Sequence, residues 1–252
     1  MLNGYSRPDN MPKIIQAWRD QSFKDICIVA VDNRSFNTEQ LLGKQILYPD
    51  SALWKADDVW RWTNNNGCPC KFYPALSYTN YKYCIFADDD TIPGKTAIEH
   101  LLYYAHQLND NFATIGQIGR IFSMGIDSKD KRYSTSNKSC HFIASVHLTI
   151  RAHLFHTRNL VHALSFRNEL ACHSEEGQRL SHIHDDFLLN MGIQKQTRRN
   201  SYIVSSPHKH QQLIEHDLDD NRGVWKRATH FSERNRMVEL SLELGWEPNG
   251  NA

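Results

Sequence analysis

Apolar runs and helical patterns alternate along the first half of the chain. The segment RPDNMPKIIQAWRDQ repeats apolar residues at helical spacing behind a candidate cap, Asp9 or Asn10, and predicts the first helix. The segments DICIVAVDN and YKYCIFADDD are continuous apolar runs that end in acids, as expected of strands covered on both faces. The segment TAIEHLLYYAHQL then places apolar residues along one helical face. This order predicts helices packed on a sheet.

The second half predicts further elements of both kinds. The segments ATIGQIG and HFIASVHLTI indicate strands, and IHDDFLLNMGI indicates a helix that begins with acids. Ser232 is a candidate cap for a last helix that Gly245 ends. Residues 195–231 show little periodicity, which is typical of a loop at an active-site rim and equally of a mobile lid. The alternation predicts a single α/β layered domain.

Composition excludes some classes of function. The chain has 252 residues and a net charge of +1, which argues against a nucleic-acid-binding surface because such surfaces carry an excess of Lys and Arg. The six cysteines lack paired C-x-x-C spacing and no secretory signal precedes them, so a reducing compartment is predicted. No apolar run approaches the length of a membrane helix. We therefore predict a cytoplasmic protein, in a bacterial cell or in the cytosol of a virus host.

Three consecutive carboxylates, Asp88, Asp89 and Asp90, follow the apolar run that ends at Phe86. Each raises the cost of charge on its neighbours, and a hard cation such as Mg²⁺ or Mn²⁺ would relieve that repulsion. On an extended strand end, Asp88 and Asp90 point to one face and Asp89 to the other. The alternative is that Asp90 or Thr91 caps the next helix and the other acids are solvated.

Four motifs in order resemble the GT-A fold glycosyltransferases that use nucleotide sugars, most closely the exostosin-like and related small enzymes. They are NGYSRP, VAVDN, NNGCPCKF and FADDD, the last matching the D-x-D motif of that family. The resemblance implies a Rossmann-like, mixed and mainly parallel sheet flanked by helices. It covers residues 1–194, with nucleotide binding in about 1–90 and acceptor binding in about 91–194. Residues 195–252 would add a loop or lid and a closing helix to the same domain.

The resemblance implies roles for individual residues on the donor side. Those expected to bind the nucleotide or the donor sugar are Tyr5, Arg7, Asp32, Asn33, Asn66, Lys71, Asp88 and Asp89. Those expected to hold Mn²⁺ or Mg²⁺ are Asp90, Asp88 and, less directly, His208. Lys71 stands where the family has Arg, and a lysine can neutralise phosphate but lacks the planar fork of a guanidinium.

A second acidic pair, Asp185 and Asp186, matches the family position opposite the donor sugar. Inverting members use such a carboxylate to take the proton of the acceptor hydroxyl, and retaining members carry a similar pair. Asp186 is the expected catalytic residue, and Asp185 is either catalytic or only a helix cap. Arg120, Trp225 and Lys226 are further candidates for the acceptor side.

The implied function is metal-dependent transfer of a sugar from a nucleotide diphosphate sugar, UDP-sugar favoured, to a hydroxyl acceptor such as a glycan. The alternatives are a haloacid-dehalogenase-like phosphatase, a two-metal nucleotidyltransferase and a non-catalytic nucleotide- or glycan-binding relative. Only Met1 and Leu2 precede NGYSRP, where the family has a longer apolar strand. Either the first strand is very short or the chain is part of a longer protein.

Overall fold

Two sheets that meet at their edges form the centre of the fold. The computed structural model describes residues 1–4, 7–33, 55–62, 66–124, 133, 140–218 and 226–248. The strands are β1 (Leu2–Gly4), β2 (Val29–Asp32), β3 (Asp58–Arg61), β4 (Tyr83–Phe86), β5 (Thr91–Ile92), β6 (Thr114–Gly116), β7 (Gly119–Arg120), β8 (Ile143–Val146), β9 (Leu148–Thr149), β10 (His153–His156), β11 (Ser201–Val204) and β12 (His216–Asp217). The helices are α1 (Met11–Arg19), the single turn α2 (Phe72–Ala75), α3 (Ala97–Leu108), α4 (Leu160–His173), α5 (Glu175–Leu180), α6 (Asp185–Thr197) and α7 (His230–Glu243).

The first sheet is parallel, with the order β1-β2-β3, and the second has the order β4-β10-β6-β11-β8. They meet at a parallel bridge between Leu2 and Ala87, where the Ala87 amide donates to the Met1 carbonyl at 3.1 Å. β1, β2 and β4 therefore run in one direction. Their carboxyl ends meet at one edge, the usual place for a ligand in an open α/β sheet.

The second sheet corrects the prediction of a mainly parallel architecture. β10 lies between β4 and β6 and is antiparallel to both, and β8 is antiparallel to β11; in this sheet only β6 and β11 pair in parallel. The sequence of β10 is HLFH, and both of its histidines are buried. A short strand with a buried histidine at each end lacks the apolar run by which the other strands were recognised.

Two apolar clusters stabilise the fold. One packs α1 and α3 against strands of both sheets, and the other lies among α4, α6 and α7, where Trp246 is fully buried. α4 and α6 approach closely at Gly192, because a Cβ atom there would lie 2.7 Å from the His162 carbonyl oxygen. Since α6 begins with Asp185 and Asp186, this packing fixes the position of both acids.

The helices predicted from the sequence are confirmed, with local differences. Asn10 precedes α1 but makes no capping hydrogen bond with its side chain. α7 begins at His230, and Ser232 lies inside it and donates to the Thr229 carbonyl oxygen. Residues 195–231, which show little periodicity, contain β11 in the interior of the second sheet. No helix in the described ranges is long and apolar enough to cross a membrane.

Candidate active site

Asp88, Asp89 and Asp90 form a turn after β4, here called the acidic turn, and do not continue the strand. Buried Arg7 holds it: the Nη1 atom lies 2.8 Å from Asp89 Oδ1 and 3.6 Å from Asp90 Oδ2. The predicted cap Asn10 donates from Nδ2 to the Asp89 carbonyl at 3.1 Å. Asp89 therefore faces the same cation as Asp90, not the opposite side, because strand alternation does not extend into a turn.

Lys71 approaches the acidic turn from the loop that follows β3. Gly67 in that loop has φ +75°, and a Cβ atom there would lie 2.1 Å from the His182 carbonyl oxygen, so only glycine fits. The Cys68 amide donates to the same carbonyl at 2.8 Å. These contacts dock the loop against the segment before α6 and place the Lys71 side chain in the interior, 1% exposed.

Lys71 joins the acidic turn to α6. Its Nζ atom lies 2.7 Å from Asp185 Oδ2 and 3.6 Å from Asp88 Oδ1. Burial acts to lower the pKa of Lys71, but the two carboxylates outweigh burial and raise it. Burial likewise acts to raise the pKa of Asp185, and Lys71 outweighs it and lowers that pKa. Lys71 and Asp185 thus form a charged pair inside the fold.

Lys71 and Arg7 do not fully offset the negative charge of the acidic turn, and the pKa values of two of its carboxylates are raised. Burial raises the pKa of Asp88 to about 8, with Lys71 opposing the increase and Asp90 adding to it. Burial raises the pKa of Asp90 to about 6, with Arg7 opposing and Asp89 adding. A cation bound at the turn would favour the charged form of both carboxylates.

The chemistry of the turn fits a hard divalent cation. Asp90 Oδ1 is buried and has no hydrogen-bond partner among the described residues, and carboxylate oxygens are the ligands that Mg²⁺ and Mn²⁺ prefer. No group of three His, Cys, Asp or Glu side chains in the described ranges could hold a metal ion. A cation at Asp88 and Asp90 would therefore need further oxygens from a bound ligand, as Mg²⁺ commonly takes from phosphates.

Asp186, the second acid of α6, has different partners from Asp185. Its Oδ2 lies 2.7 Å from Arg234 Nη2, and Oδ1 accepts from the Phe187 amide at 3.0 Å. Burial raises the pKa of Asp186, with Arg234 opposing the increase and Asp185 adding to it. Arg234 also donates to the Tyr133 hydroxyl at 3.0 Å. The two neighbouring acids therefore belong to different ion pairs.

A buried polar network on α6 holds this helix against the sheet. Asn190 Oδ1 accepts from the Thr149 amide at 3.1 Å and from the Ser201 hydroxyl at 2.7 Å, and its Nδ2 donates to the Asp186 carbonyl at 2.8 Å. One turn later, Gln194 donates to the His147 carbonyl and accepts from the Trp246 indole. Every residue of this network is buried, so it fixes the position of the helix along its axis.

The other residues expected to bind the donor take varied places. Asn33 is buried at the end of β2, where it accepts from the Asn66 amide and donates to the Gly67 carbonyl, so it holds the loop that carries Lys71. Asp32 is buried on β2. Tyr5, like Trp225 on the acceptor side, lies outside the described residues.

The structure does not bring His208 together with the acidic turn in a group of metal ligands. Its side chain is exposed, and its ring stacks on that of His210 with 5.4 Å between centroids. It adjoins the short helical turn Lys209–Gln211, which packs near Gly94 before α3. The acidic turn, Lys71 and the two acids of α6 are the predicted residues that do converge.

Several residues of the site had no signal in the sequence. Arg234 pairs with Asp186 and donates to Tyr133, and His184 is buried within 3.8 Å of Glu233. Arg234 lies on α7, far along the chain, in a helix whose pattern indicated only packing. A pairing of this kind becomes visible only when the topology brings α6 and α7 together.

Comparison with solved structures shows distant structural similarity to a known protein. No family model matches the chain, and no curated protein matches its sequence. The crystal structure of TarS from S. aureus, a glycosyltransferase, aligns over 81% of this chain with a TM-score of 0.43 and 13% identity. The chain spans 36% of the length of TarS.

Proposed function

We propose that this chain is a metal-dependent glycosyltransferase of the GT-A type, which moves a sugar from a nucleotide diphosphate sugar to a hydroxyl acceptor. The observation that carries the proposal is the convergence of the acidic turn, Lys71 and the Asp185–Asp186 pair at the carboxyl ends of β1, β2 and β4. Donor binding and proton removal need separate groups. The acidic turn supplies acids for the first, and Asp186, next along α6 to the Asp185 that pairs with Lys71, supplies an acid for the second.

On the donor side, Asp88 and Asp90 would hold Mn²⁺ or Mg²⁺. The cation would offset the negative charge that grows on the departing nucleotide diphosphate. Lys71 and Arg7 are cations already fixed beside the acidic turn, and they would attract the diphosphate to it. UDP is the favoured nucleotide, from the resemblance of the motifs to the exostosin-like enzymes.

On the acceptor side, Asp186 would take the proton of the attacking hydroxyl. A general base works best when its pKa lies nearer the working pH than that of an ordinary carboxylate, and burial raises the pKa of Asp186. Asp185 has a lowered pKa and a tight pair with Lys71, which suits a fixed structural charge. This division assigns chemistry to Asp186 and positioning to Asp185.

The phosphatase alternative is disfavoured by the place of the acidic turn. In a haloacid-dehalogenase-like phosphatase the D-x-D acids close the first strand of the fold, and one of them is the nucleophile. Here the turn follows β4, and β1 leads instead to Arg7. The acids of the turn are also tied to Arg7 and Lys71, which favours a role in holding charge over nucleophilic attack.

A thermal-shift panel tests the proposal. UDP, GDP, CDP and TDP are each added with and without Mn²⁺ to the wild-type chain, to Asp90→Asn and to Glu99→Gln, an exposed acid on α3 that serves as the matched control. We expect one nucleotide to raise the Tm of the wild type and of Glu99→Gln in the presence of Mn²⁺, because a ligand stabilises the state that binds it. Asp90→Asn should lose that shift.

Two further results decide between the candidates. Release of the nucleotide diphosphate from its sugar nucleotide, dependent on Mn²⁺, would establish transfer chemistry. Absence of a metal-dependent shift with every nucleotide, together with hydrolysis of a phosphate monoester, would replace the transferase by the phosphatase.

A further inference from the structure

Arg120, at the end of β7, is a buried cation, and part of its guanidinium has no hydrogen-bond partner among the residues that the structure describes. The residue is 9% exposed, and within the described ranges neither Nε nor Nη1 has a hydrogen-bond partner. An arginine cannot shed its proton to escape this situation. A buried guanidinium with free donors therefore needs an anion from elsewhere.

The backbone holds Arg120 in this place. β7 pairs with β9 so that Arg120 lies opposite Leu148, and the His147 amide donates to the Arg120 carbonyl at 3.0 Å. The preceding Gly119 has no room for a side chain, because a Cβ atom there would lie 2.8 Å from the Leu148 carbonyl oxygen. The strand cannot shift outward to expose the guanidinium without breaking this packing.

Two acids of α6 and α7, Asp186 and Glu233, already pair with other arginines. Asp186 pairs with Arg234 at 2.7 Å, and Glu233 pairs with Arg179 at 2.6 Å. The aromatic ring of Tyr133 lies 5.6 Å from Arg120 Cζ, a cation–π contact. That contact leaves Nε and Nη1 without a hydrogen-bond acceptor in the described part of the chain.

Arg120 shares an aromatic neighbour with Arg234, the partner of the proposed base. Its guanidinium and that of Arg234 both contact the Tyr133 ring, and Arg234 connects that ring to Asp186. A ligand group held by Arg120 would therefore lie on the Asp186 side of the site, whereas Lys71 and Arg7 face the acidic turn.

We propose that Arg120 binds an oxyanion, a carboxylate or phosphate group, carried by the acceptor substrate. The N–H groups of a guanidinium donate charge-assisted hydrogen bonds to the oxygens of such a group, and Nε and Nη1 have no other partner within the described ranges. The assignment of this group to the acceptor substrate rests on the proposed function, whereas the oxyanion site at Arg120 does not. An acceptor without the anionic group would leave the guanidinium unpaired and would bind much less tightly.

Inorganic phosphate and acetate are the probes. Each is titrated against the wild type at constant ionic strength, set with NaCl, and the Tm is recorded. The same titrations use Arg120→Met and the control Arg158→Gln, an exposed arginine at the end of β10. We expect phosphate, acetate or both to raise the Tm of wild type and control, with an apparent Kd at least tenfold weaker in Arg120→Met. Without added anion, Arg120→Met should match or exceed the wild-type Tm, because it removes an unpaired buried charge.

Equal shifts in the wild type and Arg120→Met would overturn the proposal, as would no shift in the wild type. If Arg120→Met does not fold, Arg120→Lys replaces it. That variant keeps the charge but loses the fork, and its apparent Kd should weaken several-fold.

The nucleotide panel on Arg120→Met separates this proposal from the transferase. A nucleotide shift that survives the substitution while the phosphate shift is lost supports both. A phosphate shift that depends on Arg120, with no nucleotide shift in any protein, keeps the oxyanion site and removes the transferase. A normal nucleotide shift with a phosphate shift independent of Arg120 removes the oxyanion site alone.

Discussion

The Lys71 ammonium lies 2.7 Å from the Asp185 carboxylate, and this pair joins the loop after β3 to the first turn of α6. The Lys71 side chain is 2% exposed and that of Asp185 is 17% exposed, and the second carboxylate near Lys71 belongs to Asp88. The pair therefore links the two halves of the candidate site, the acidic turn and the acids of the helix.

Lys71→Met should destabilise the fold strongly. The substitution leaves Asp185 as a buried charge without its partner, and breaking a buried ion pair in this way costs about 3–5 kcal/mol. Urea denaturation of the wild type and the variant at neutral pH measures the free energy of unfolding. Lys13→Met, at an exposed position on α1, is the control and should change it by less than about 0.5 kcal/mol. Equal stability of Lys71→Met and wild type would contradict the importance of the pair.

Gly67→Ala should be more harmful than its counterpart at Gly245. Both glycines have positive φ, +75° and +82°, and an alanine in such sparsely populated backbone regions costs on the order of 1–3 kcal/mol. At Gly245 nothing lies within 4 Å of the added Cβ, whereas at Gly67 it would collide with the His182 carbonyl. The Gly67 variant should therefore lose substantially more free energy of unfolding than the Gly245 variant.

The comparison at the two glycines isolates the close approach of the loop to His182. A loss at Gly67 no larger than the loss at Gly245 would mean that the loop moves aside freely. In that case the position of Lys71 would not depend on this contact.

Asn190→Leu tests the polar network that positions α6. The substitution leaves the Thr149 amide and the Ser201 hydroxyl without their acceptor in the interior, and each buried unsatisfied group costs about 1–3 kcal/mol. We expect a loss of about 3 kcal/mol or more in the free energy of unfolding. Gln196→Leu, at an exposed position on the same helix, should change it little. Similar effects of the two substitutions would argue against the network.

The sequence predicts those parts of the fold that depend on local pattern. α1, α3 and the strands β2 and β4 stand out because their apolar residues follow the helical or the buried-strand period. The acidic turn and the acids at the start of α6 stand out because charges seldom follow a buried strand or cluster at one helix end. Their convergence follows from the rule that ligands bind at the carboxyl ends of strands.

The other parts of the fold and of the site depend on contacts between residues far apart in the sequence, which no local pattern predicts. β10 carries buried histidines and was missed, so the direction of the second sheet was predicted wrongly. The extended geometry assumed for the acidic turn failed because Arg7 and Asn10 hold it as a turn. Arg234 reaches Asp186, and Tyr133 reaches Arg234, only through tertiary packing.

His147 should make the fold less stable in acid. Burial lowers the pKa of His147 to about 4 from an ordinary value of 6.5, and its Nδ1 accepts from the Phe122 amide at 2.8 Å. The unfolded chain binds the proton more readily, so this contribution to stability is lost as the pH falls from about 6.5 toward about 4. Between pH 7 and pH 5 the loss from this one residue is roughly 2 kcal/mol.

His147→Leu makes that contribution measurable. The variant is less stable than the wild type at pH 7 because the Phe122 amide loses its acceptor. The difference between the two proteins should shrink by about 2 kcal/mol at pH 5, since all other titrating groups are common to both. A difference that stays constant from pH 7 to pH 5 would show that His147 takes up a proton as readily in the folded state as in the unfolded state.

Asp186→Asn and Asp185→Asn should separate chemistry from positioning. If Asp186 takes the acceptor proton, its amide variant should lower kcat by about 10²–10⁴-fold and leave the KM for the sugar nucleotide close to the wild-type value. Asp185→Asn removes the partner of Lys71 and should act mainly on donor binding, seen as a raised KM and a smaller nucleotide-dependent Tm shift. The Tm without ligand shows whether each variant is folded. An unchanged kcat in Asp186→Asn, with a large loss in Asp185→Asn, would reverse the two assignments, because the acid paired with Lys71 would then be the base.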